Sequence, residues 1–377
     1  MSKTIYFVAG EVSGDNHGAA LMRSLREVDI DLRFTGRGGP QMRAIAGEKF
    51  TDWLNDAAVL GLWEVIKNYG YFREKFHETL DEIRENKPDG VVLIDYPGFN
   101  LRLARALRKR SAKGKIIYYI SPQVWAWNRG RIKKMARFLD LMLCIFPFEA
   151  DLYNKSGLRT VFVGHPMVER LRTRKIDVER DPNLIGLFPG SRPREVRKIF
   201  PILVETACEL SEQKPSLHFE IAAASEPLAA EISRTLTDAR MSQELFQVVT
   251  GETAATMQRA SFGIIASGSA TLEAAYFRLP FVLVYKVAWP TYLAARLVVN
   301  VKYLGMPNVL ADKEVAPEFI QHRARPGVIA KTVFQLINNP TARDRMISEF
   351  DRIVAKLGEG GASEKAARAI VKELSAT

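Results

Sequence analysis

The chain has 377 residues, with 54 Lys and Arg against 43 Asp and Glu, so its formal net charge is +11. At roughly 150 residues per domain, this length predicts two to three domains. The 47% share of hydrophobic residues excludes a disordered chain, and the two cysteines exclude a disulfide scaffold. Nucleic acid, an anionic membrane and a phosphorylated substrate all suit this charge, so charge alone does not identify the partner.

Short apolar strands alternate with amphipathic helical segments from the N-terminal residues to about Asp312. This alternation predicts the α/β class, with doubly wound parallel sheets. In the first half we expect helices at 101–109 and 148–155, and strands at 4–9, 32–35, 90–94, 115–120, 139–144 and 160–163. Residues 166–181 are polar and charged, which predicts a linker.

A second α/β series follows this linker. We expect helices at 194–211 and 270–277, and strands at 184–187, 217–222, 246–249, 263–266 and 281–284. Segments 341–357 and 362–374 predict two terminal helices. Two α/β halves joined by a linker predict a cleft, and such folds bind ligands at the carboxyl ends of their strands.

The first strand ends in Gly10 and Glu11. A glycine there lets the backbone approach a ligand closely, and a carboxylate at Glu11 indicates function more than structure. We expect Asp15 to cap the helix that continues through Leu25. The chain has neither Gly-x-Gly-x-x-Gly at this point nor a Walker-type phosphate motif anywhere, which disfavours dinucleotide binding.

Asp95 directly follows the apolar strand 90–94. A carboxylate at the end of such a strand is partly desolvated, which raises its pKa and suits it to accept a proton near neutrality. Asp95 is therefore the leading candidate for a general base. The alternative is that Asp95 caps the helix that starts near Phe99.

The loop at 121–131 contains Trp125 and Trp127 beside Arg129 and Arg131. Indole rings beside cations suit stacking on a sugar, a base or a lipid. The alternative is that the rings pack beneath the loop and the cations form a solvated face.

A loop in the second half predicts anion binding. The strand that ends near Phe188 is followed by Gly190, Ser191 and Arg192, and a helix begins there. A hydroxyl, a guanidinium and the backbone N–H groups of a helix N-terminus together suit a diphosphate. The alternative is a capped helix with a surface arginine.

A second such loop follows the strand at 262–266. Its small and polar residues are Ser267, Gly268, Ser269, Ala270 and Thr271. These residues let the backbone meet a phosphate at a helix start. One turn further on, Glu273 suits the two hydroxyls of a ribose, although a carboxylate there also favours the helix dipole.

Two further polar residues have weaker patterns. Asn308 offers an amide that suits a base or sugar edge, and His165 is more typical of a satisfied interdomain histidine than of a catalyst. The five histidines show no metal-ligand spacing such as His-Glu-x-x-His, so we expect no metal and no cofactor.

Aromatic residues recur at helical spacing in segments 62–83 and 285–303. This spacing predicts core packing, and the alternative is a surface for membrane lipid. No window reaches the ~20 apolar residues that a membrane-spanning helix needs. We therefore expect a protein of the reducing cytoplasm that is soluble or bound peripherally to a membrane.

Eight short motifs together resemble the lipid-A-disaccharide synthase family, in the family's order and at similar spacing. The motifs are Gly-Glu-Val-Ser-Gly-Asp (10–15), Ile-Asp-Tyr-Pro (94–97), Ser-Pro-Gln-Val-Trp-Ala-Trp (121–127), Phe-Pro-Phe-Glu (146–149), Gly-His-Pro (164–166), Pro-Gly-Ser-Arg (189–192), Ser-Gly-Ser-Ala-Thr-Leu-Glu (267–273) and Pro-Asn-Val-Leu (307–310). The resemblance covers nearly the whole chain.

The resemblance implies a GT-B fold, in which two Rossmann-like domains face each other across a cleft. Residues 1–167 would bind the acceptor and lipid, residues 168–345 would bind the UDP-sugar, and helices in 346–377 would pack back on the first domain. The implied reaction is metal-independent, inverting transfer from UDP-2,3-diacylglucosamine to 2,3-diacylglucosamine 1-phosphate (lipid X). The implied products are a β-1,6-linked disaccharide 1-phosphate and UDP.

The resemblance also implies roles for the residues in the motifs. Asp95 would take the proton from the acceptor 6-hydroxyl, with Glu11 orienting the acceptor or replacing Asp95 as the base. Members of the family act peripherally on the cytoplasmic face of the inner membrane and have been described as intertwined dimers. Segments 63–76 and 289–303 become candidates for acyl-chain or membrane contact.

On the donor side, the resemblance implies that Ser191, Arg192 and the helix start at Ser269 stabilise the diphosphate. Glu273 would hold the ribose, and Asn308 would contact the nucleotide. We expect no nucleic-acid partner.

Two other readings remain open. Related GT-B enzymes, such as the peptidoglycan N-acetylglucosaminyltransferase or a UDP-sugar 2-epimerase, share the two-domain plan and differ in their products. A nonenzymatic membrane or nucleic-acid binding protein would instead bind in a salt-dependent way and release no UDP.

Overall fold

The computed structural model describes residues 2–54, 69–110, 113–127, 130–242, 244–289, 292–293 and 301–376. The chain forms two compact units, one from Met1–Pro166 with Leu357–Thr377 and the other from Met167–Lys356. Each unit contains one parallel β-sheet. The α/β class predicted from the sequence is confirmed.

The first unit has a seven-stranded sheet in the order β3-β2-β1-β4-β5-β6-β7. Its strands are β1 (Thr4–Ala9), β2 (Arg33–Gly38), β3 (Phe50–Asp52), β4 (Gly90–Ile94), β5 (Lys115–Tyr119), β6 (Leu141–Cys144) and β7 (Thr160–Phe162). Its helices, numbered over the described residues, are α1 (Val12–Val28), α2 (Pro40–Ala46), α3 (Tyr69–Asn86), α4 (Pro97–Lys109), α5 (Val124–Trp127), α6 (Gly130–Met135) and α7 (Pro147–Asn154).

The second unit has a six-stranded sheet in the order β10-β9-β8-β11-β12-β13. Its strands are β8 (Asp181–Phe188), β9 (His218–Ala223), β10 (Phe246–Thr250), β11 (Ala260–Ala266), β12 (Phe281–Tyr285) and β13 (Glu318–Ile320). The remaining helices are α8 (Pro166–Arg172), α9 (Pro193–Gln213), α10 (Glu226–Asp238), α11 (Thr253–Arg259), α12 (Ala270–Tyr276), α13 (Met306–Ala311), α14 (Pro326–Ile337), α15 (Pro340–Ala355) and α16 (Ala362–Ser375).

Buried strands form the centre of both sheets. All five residues of β4 are buried, as are the last five of β1 and the last five of β8. Strands covered by helices on both faces are near-continuous apolar runs, which is why these segments were recognisable in the sequence. Among the described helices, none combines the length and the apolar composition needed to cross a membrane.

Each sheet reverses its strand order at one place. In the first unit, β1 pairs with β2 on one side and with β4 on the other. In the second unit, β8 pairs with β9 on one side and with β11 on the other. Crossovers leave in opposite directions from such a pair, so the loops at the carboxyl ends separate and leave room for a ligand.

The C-terminal helix α16 belongs to the first unit. Ala366, Ala367 and Ile370 are buried in that unit's core, and Lys3 Nζ donates to the carbonyl of Leu374 at 2.8 Å. The preceding helix α15 belongs to the second unit. The ring of its Phe350 stacks on the ring of Phe281 in β12, with the ring centroids 5.4 Å apart. The boundary at residues 356 and 357 therefore differs from the predicted terminal segment 346–377.

The segment at 166–181 was predicted as a linker, and its first part is helical. Met167, Val168 and Leu171 are buried, so this part of α8 contributes to the core despite the charged residues around it. The division between the two units, at Pro166 and Met167, does fall within the predicted linker, and what the sequence did not predict is the helix at 166–172.

Asp15 lies inside α1 and does not cap that helix. Its carboxylate accepts hydrogen bonds from the backbone N–H groups of Gly39 (3.1 Å), Gln41 (3.0 Å) and Met42 (2.9 Å). It therefore caps α2, which corrects the sequence prediction. The reason is that α1 already begins at Val12, which turns Asp15 toward its neighbour α2.

Candidate functional site

Glu11 and Asp95 lie at the carboxyl ends of the two strands between which the first sheet reverses its order. The strands β1 and β4 pair in parallel up to Ala9 and Ile94. The next residues therefore leave the same edge of the sheet side by side. The structure brings together the two carboxylates that sequence analysis named as candidate catalytic groups.

The backbone at Asp95 is held in an unusual conformation. Asp95 and Tyr96 have φ angles of 46° and 48°, in the left-handed region that non-glycine residues rarely adopt. The Asp95 N–H donates to the carbonyl of Tyr119 at 3.0 Å, while the Asp95 carbonyl accepts from the Tyr118 hydroxyl at 2.5 Å and from Asn100 Nδ2 at 2.8 Å. Such strain persists only where several contacts determine it, and it is common at functional sites.

The pKa of Asp95 is raised to about 6. Burial is the larger cause, and the negative charge of Glu11 is the smaller one. A hydrogen bond from the Tyr96 backbone opposes this shift in pKa. A carboxylate with a pKa near 6 is ionised at neutral pH and is more basic than an ordinary aspartate, as a general base requires. The alternative reading of Asp95 as a cap for α4 receives no support, because the N-cap residue is Tyr96.

Glu11 is exposed at the N-cap position of α1, and its side chain makes no capping hydrogen bond there. The carboxylate therefore has no structural task at the start of this helix. Its electrostatic effect reaches Asp95 and also Tyr96, whose pKa is raised to about 12 mainly by burial.

A buried glutamate organises the loop that contains the tryptophans. Glu149 is fully buried, and its carboxylate accepts from Ser121 Oγ at 2.6 Å, from Trp125 Nε1 at 2.8 Å and from the Phe146 N–H at 3.2 Å. Burial raises the pKa of Glu149 to about 7, against the effect of these donors. Sequence analysis quoted the Phe-Pro-Phe-Glu motif without giving its glutamate a role.

Trp125 packs beneath the loop and does not face solvent. It is buried, and its ring meets that of Phe148 edge to face at 5.0 Å. The packing alternative therefore holds for Trp125. The side chain of Trp127 and residues 128–129, including Arg129, lie outside the described part of the structure.

The two predicted anion-binding loops of the second unit lie at its sheet reversal. The strands β8 and β11 pair in parallel up to Phe188 and Ile265, so the loop at Gly190 and the loop at Ser267 leave the sheet together. A Cβ on Gly190 would lie 3.7 Å from the Cβ of Ala266, and the φ angle of Gly190 is 110°. That distance is ordinary van der Waals contact, so it is the left-handed turn that requires glycine here.

Ser191, Arg192, Gly268 and Ser269 are exposed at this edge, and Ser267 and Ala270 are partly exposed. The Arg192 side chain is 80% exposed, and its contact with Glu195 Oε1, at 3.3 Å, is weak. Its guanidinium is therefore available to an anion. The helices α9 and α12 begin directly after these loops, with the N–H groups of their first turns toward the same edge.

Thr271 and Glu273 already have partners. Thr271 is fully buried, and its hydroxyl donates to the carbonyl of Gly268 at 2.8 Å, so it shapes the loop from below. Glu273 Oε1 accepts from Arg170 Nη2 at 2.6 Å, and the Glu273 side chain is 12% exposed. A ribose bound by Glu273 would share this carboxylate with Arg170 or displace the guanidinium.

Asn308 does not face a ligand. It is 1% exposed, and its amide nitrogen donates to Ala316 O at 2.7 Å and to Glu318 Oε1 at 2.9 Å. Its amide oxygen accepts from the N–H groups of Val315 (2.8 Å) and Ala316 (2.9 Å). All four hydrogen-bonding positions of the amide are used, which corrects the prediction that Asn308 contacts a nucleotide.

Tyr285 begins the aromatic segment 285–303 and is a neighbour of this site for which the sequence predicted no role here. It ends β12, and burial together with the nearby Glu195 carboxylate raises the pKa of its hydroxyl, while Arg192 lowers it.

The aromatic segments differ in how much of them the structure describes. Phe76 packs on the core, with its ring 5.6 Å from that of Phe99, while residues 63–68 lie outside the described part. In the second segment Trp289 and Leu293 are 59% and 57% exposed, and residues 290–291 and 294–300 are not described.

Across the described residues, no group of three His, Cys, Asp or Glu side chains is arranged to hold a metal ion.

Solved structures of the GT-B fold share this architecture. A putative UDP-N-acetylglucosamine 2-epimerase from Listeria monocytogenes aligns over 100% of this chain and 98% of its own, with a TM-score of 0.65 and 12% identity. MurG from Acinetobacter baumannii aligns over 98% of this chain and 99% of its own, with a TM-score of 0.55 and 14% identity. The protein therefore has a GT-B fold.

Sequence comparison defines the family within that class. The lipid-A-disaccharide synthetase family model matches residues 5–371. The lipid-A-disaccharide synthase of Geobacter sulfurreducens is 36% identical over 99% of this chain and 98% of the relative. Lipid-A-disaccharide synthase 1 of Legionella pneumophila is 37% identical over 98% of this chain and 97% of the relative. The chain belongs to the lipid-A-disaccharide synthetase family, whose members are glycosyltransferases of lipid A biosynthesis.

Proposed function

We propose that this protein transfers a diacylglucosamine unit from UDP-2,3-diacylglucosamine to the 6-hydroxyl of 2,3-diacylglucosamine 1-phosphate. The products are the β-1,6-linked disaccharide 1-phosphate and UDP. Family membership supports the reaction type. The single observation on the chain itself that carries the proposal is Asp95, a carboxylate with a pKa of about 6 at the sheet reversal of the first unit.

Asp95 accepts the proton of the acceptor 6-hydroxyl while the hydroxyl oxygen attacks the anomeric carbon of the donor. The bond from that carbon to the UDP oxygen breaks in the same displacement, so the configuration inverts. Glu11 keeps the Asp95 carboxylate basic through its negative charge and orients the acceptor from the neighbouring strand end.

The second unit binds the donor. Arg192 and the hydroxyls of Ser191 and Ser269 are exposed at one edge of the sheet, where they suit the diphosphate of UDP. Charge that develops on the leaving diphosphate is stabilised by these donors and by the N–H groups at the start of α9. Glu273 binds the ribose hydroxyls in place of part of its contact with Arg170.

We also propose that the reaction requires no metal, because the guanidinium and the loop donors supply the positive charge that a diphosphate leaving group needs. The acyl chains of both substrates place the protein on the cytoplasmic face of the inner membrane as a peripheral protein. We also propose that the protein forms a homodimer. Light scattering of the purified protein tests this assembly.

The decisive experiment measures UDP release from UDP-2,3-diacylglucosamine in detergent micelles with EDTA, with and without 2,3-diacylglucosamine 1-phosphate. We expect release that depends on the acceptor, and a disaccharide 1-phosphate in the lipid fraction by mass spectrometry. The Asp95→Asn protein is the matched control. Release of UDP without a glycosidic product would indicate an epimerase-like or hydrolytic enzyme. UDP release that occurs only after a metal ion is added back would refute the metal-independent step.

A further inference from the structure

A basic groove lies on the first unit between α4 and the segment from α6 to Phe138. Its volume is about 720 Å³, and seven of its twelve lining residues are Arg or Lys while none is acidic. Leu101, Met135 and Phe138 give it apolar surface. The groove thus combines a concentrated positive charge with an apolar wall.

Four of the seven cations have no carboxylate partner among the residues that the structure describes. The Arg108 guanidinium pairs with Asp140 at 2.6 Å. Arg102, Arg105, Lys134 and Arg137 are exposed, and none of these four lies within 4.0 Å of a carboxylate in the part of the chain that the structure describes. Unpaired cations on both sides of one groove repel each other, so an anion bound between them is favoured.

The cations are too many and too widely spread for one phosphate. Along α4 they extend from Arg102 to Lys109, a distance of about 10 Å at a rise of roughly 1.5 Å per residue. A single phosphate group is bound well by two or three such side chains. A row of phosphates that carry acyl chains, as at an anionic bilayer, matches both the charge and the apolar wall.

We propose that this groove is a binding site for anionic phospholipid. The headgroup phosphates lie along the cations of α4 and α6, and the first part of an acyl chain lies against Leu101 and Phe138. The groove begins at Pro97 and Gly98, directly after Asp95 and Tyr96. Lipid bound here would hold the bilayer surface beside the candidate base. This inference rests on the proposed peripheral membrane location, and it does not depend on the proposed reaction.

The test compares two variants that lose the same charge from the same unit. The groove variant carries Arg102→Gln, Arg105→Gln and Lys134→Gln. The control variant carries Arg23→Gln, Arg33→Gln and Lys49→Gln, which are exposed and do not line the groove. Binding to phosphatidylcholine vesicles with and without phosphatidylglycerol is measured by sedimentation at about 0.15 M ionic strength, where the screening length is about 8 Å.

We expect the wild type to bind only the vesicles that contain phosphatidylglycerol. Each basic residue close to an anionic surface is worth about fivefold in binding, so the groove variant should bind roughly 100-fold more weakly. The control variant should lose less than about fivefold. Circular dichroism and thermal melting must show that both variants fold as the wild type does.

Four results would overturn the proposal. Equal losses in the two variants would show that attraction is spread over the whole surface. Equal binding of both vesicle types would show that anionic lipid is not recognised. A higher KM for 2,3-diacylglucosamine 1-phosphate in neutral detergent, with unchanged vesicle binding, would assign the groove to the acceptor. Inorganic phosphate that displaces the protein from vesicles at millimolar concentration would indicate a site for free phosphate.

Discussion

The ring of Tyr96 lies directly against the α-carbon of Gly10. A Cβ built on Gly10 would be 2.3 Å from Tyr96 Cδ1, far inside van der Waals contact. The Tyr96 ring also stacks on that of Phe99 at 5.9 Å, so it has little room to move away. Position 10 therefore fixes how the loop after β1 meets the loop after β4, which carries Asp95.

The Gly10→Ala substitution should lower activity strongly. The new methyl group must displace the Tyr96 ring, which follows Asp95 in a strained turn, so the carboxylate moves from its position. We expect at least a tenfold loss in kcat and a cost of about 1–3 kcal/mol in the free energy of unfolding. Enzyme assays and urea denaturation measure the two effects.

The control for this prediction is Gly70→Ala in α3, where a Cβ would meet nothing within 4 Å. It should keep full activity and raise stability by up to about 1 kcal/mol. Full activity in Gly10→Ala would show that the Tyr96 contact does not position Asp95.

The pH dependence of kcat/KM should report the ionisation of Asp95. The pKa of Asp95 is about 6, so the rate should rise with pH and level off above a midpoint near that value. Because Glu11 contributes less than burial to the raised pKa, Glu11→Gln should move the midpoint modestly to lower pH while most activity remains. Asp95→Asn should abolish the titration together with turnover. Complete loss of turnover in Glu11→Gln, with turnover retained in Asp95→Asn, would show that Glu11 is the general base and not Asp95.

Arg192→Ala should weaken UDP binding without loss of stability. The side chain is 80% exposed, so its removal leaves no cavity and no buried charge. A charge-assisted hydrogen bond to a phosphate contributes about 1.5–3 kcal/mol, which predicts a Kd about 10- to 100-fold higher by calorimetry. Lys198→Ala, an exposed cation further along α9, is the control and should bind UDP normally. An unchanged Kd in Arg192→Ala would remove the arginine from the diphosphate site.

Glu149→Gln should destabilise the first unit. An amide nitrogen cannot accept hydrogen bonds, so a donor among Ser121, Trp125 and the Phe146 N–H would lose its acceptor, at a cost of about 1–3 kcal/mol in the free energy of unfolding. Asp151→Asn, an exposed carboxylate on the same helix, should have no effect.

The Glu149 effect should also depend on pH. The pKa of Glu149 is raised from 4.5 to about 7, so the folded state holds this proton more tightly than the unfolded state does. The resulting stabilisation of the wild type is complete below pH 4.5 and is lost as pH rises through 7. The difference in unfolding free energy between wild type and Glu149→Gln should therefore be smaller at pH 8 than at pH 5. A difference that grows with pH would show that the pKa is lowered.

Asn308→Ala should act on folding and not on nucleotide contact. The substitution removes the acceptor of the Val315 and Ala316 N–H groups and one of the donors to the Glu318 carboxylate, which predicts a loss of several kcal/mol in the free energy of unfolding. The fraction that remains folded should bind UDP with a Kd within about threefold of wild type. A stable Asn308→Ala protein with a much higher Kd for UDP would show that Asn308 contacts the nucleotide directly.

The elements of this fold were largely readable in the sequence. The strand at 4–9 and that at 90–94 have the predicted bounds, because buried parallel strands are apolar runs that end at a turn residue. The same rule placed Glu11, Asp95 and the two glycine loops at strand ends. The helix at 166–172 was not predicted, because its charged residues obscured three buried side chains.

The roles of individual side chains needed the tertiary structure. The side chains of Asp15, Glu149 and Asn308 all bind protein groups. Asp15 and Glu149 bind groups from distant segments, and Asn308 binds the loop that follows its helix. Ser121 and Trp125, for example, lie 28 and 24 residues before Glu149. No local pattern shows whether a polar group meets such a partner or faces a ligand.

By itself, the sequence determined which segments are strands, which loops follow them and which family the motifs resemble. Only the tertiary structure decided which strands are neighbours. It therefore decided that the loops with Glu11 and Asp95 leave one sheet side by side, and that the loops with Ser191 and Ser267 do so in the other. It also decided that α16 belongs to the first unit and α15 to the second. Hydrophobic periodicity is a local property of the chain, whereas strand order and the partners of buried polar groups depend on pairing between distant segments.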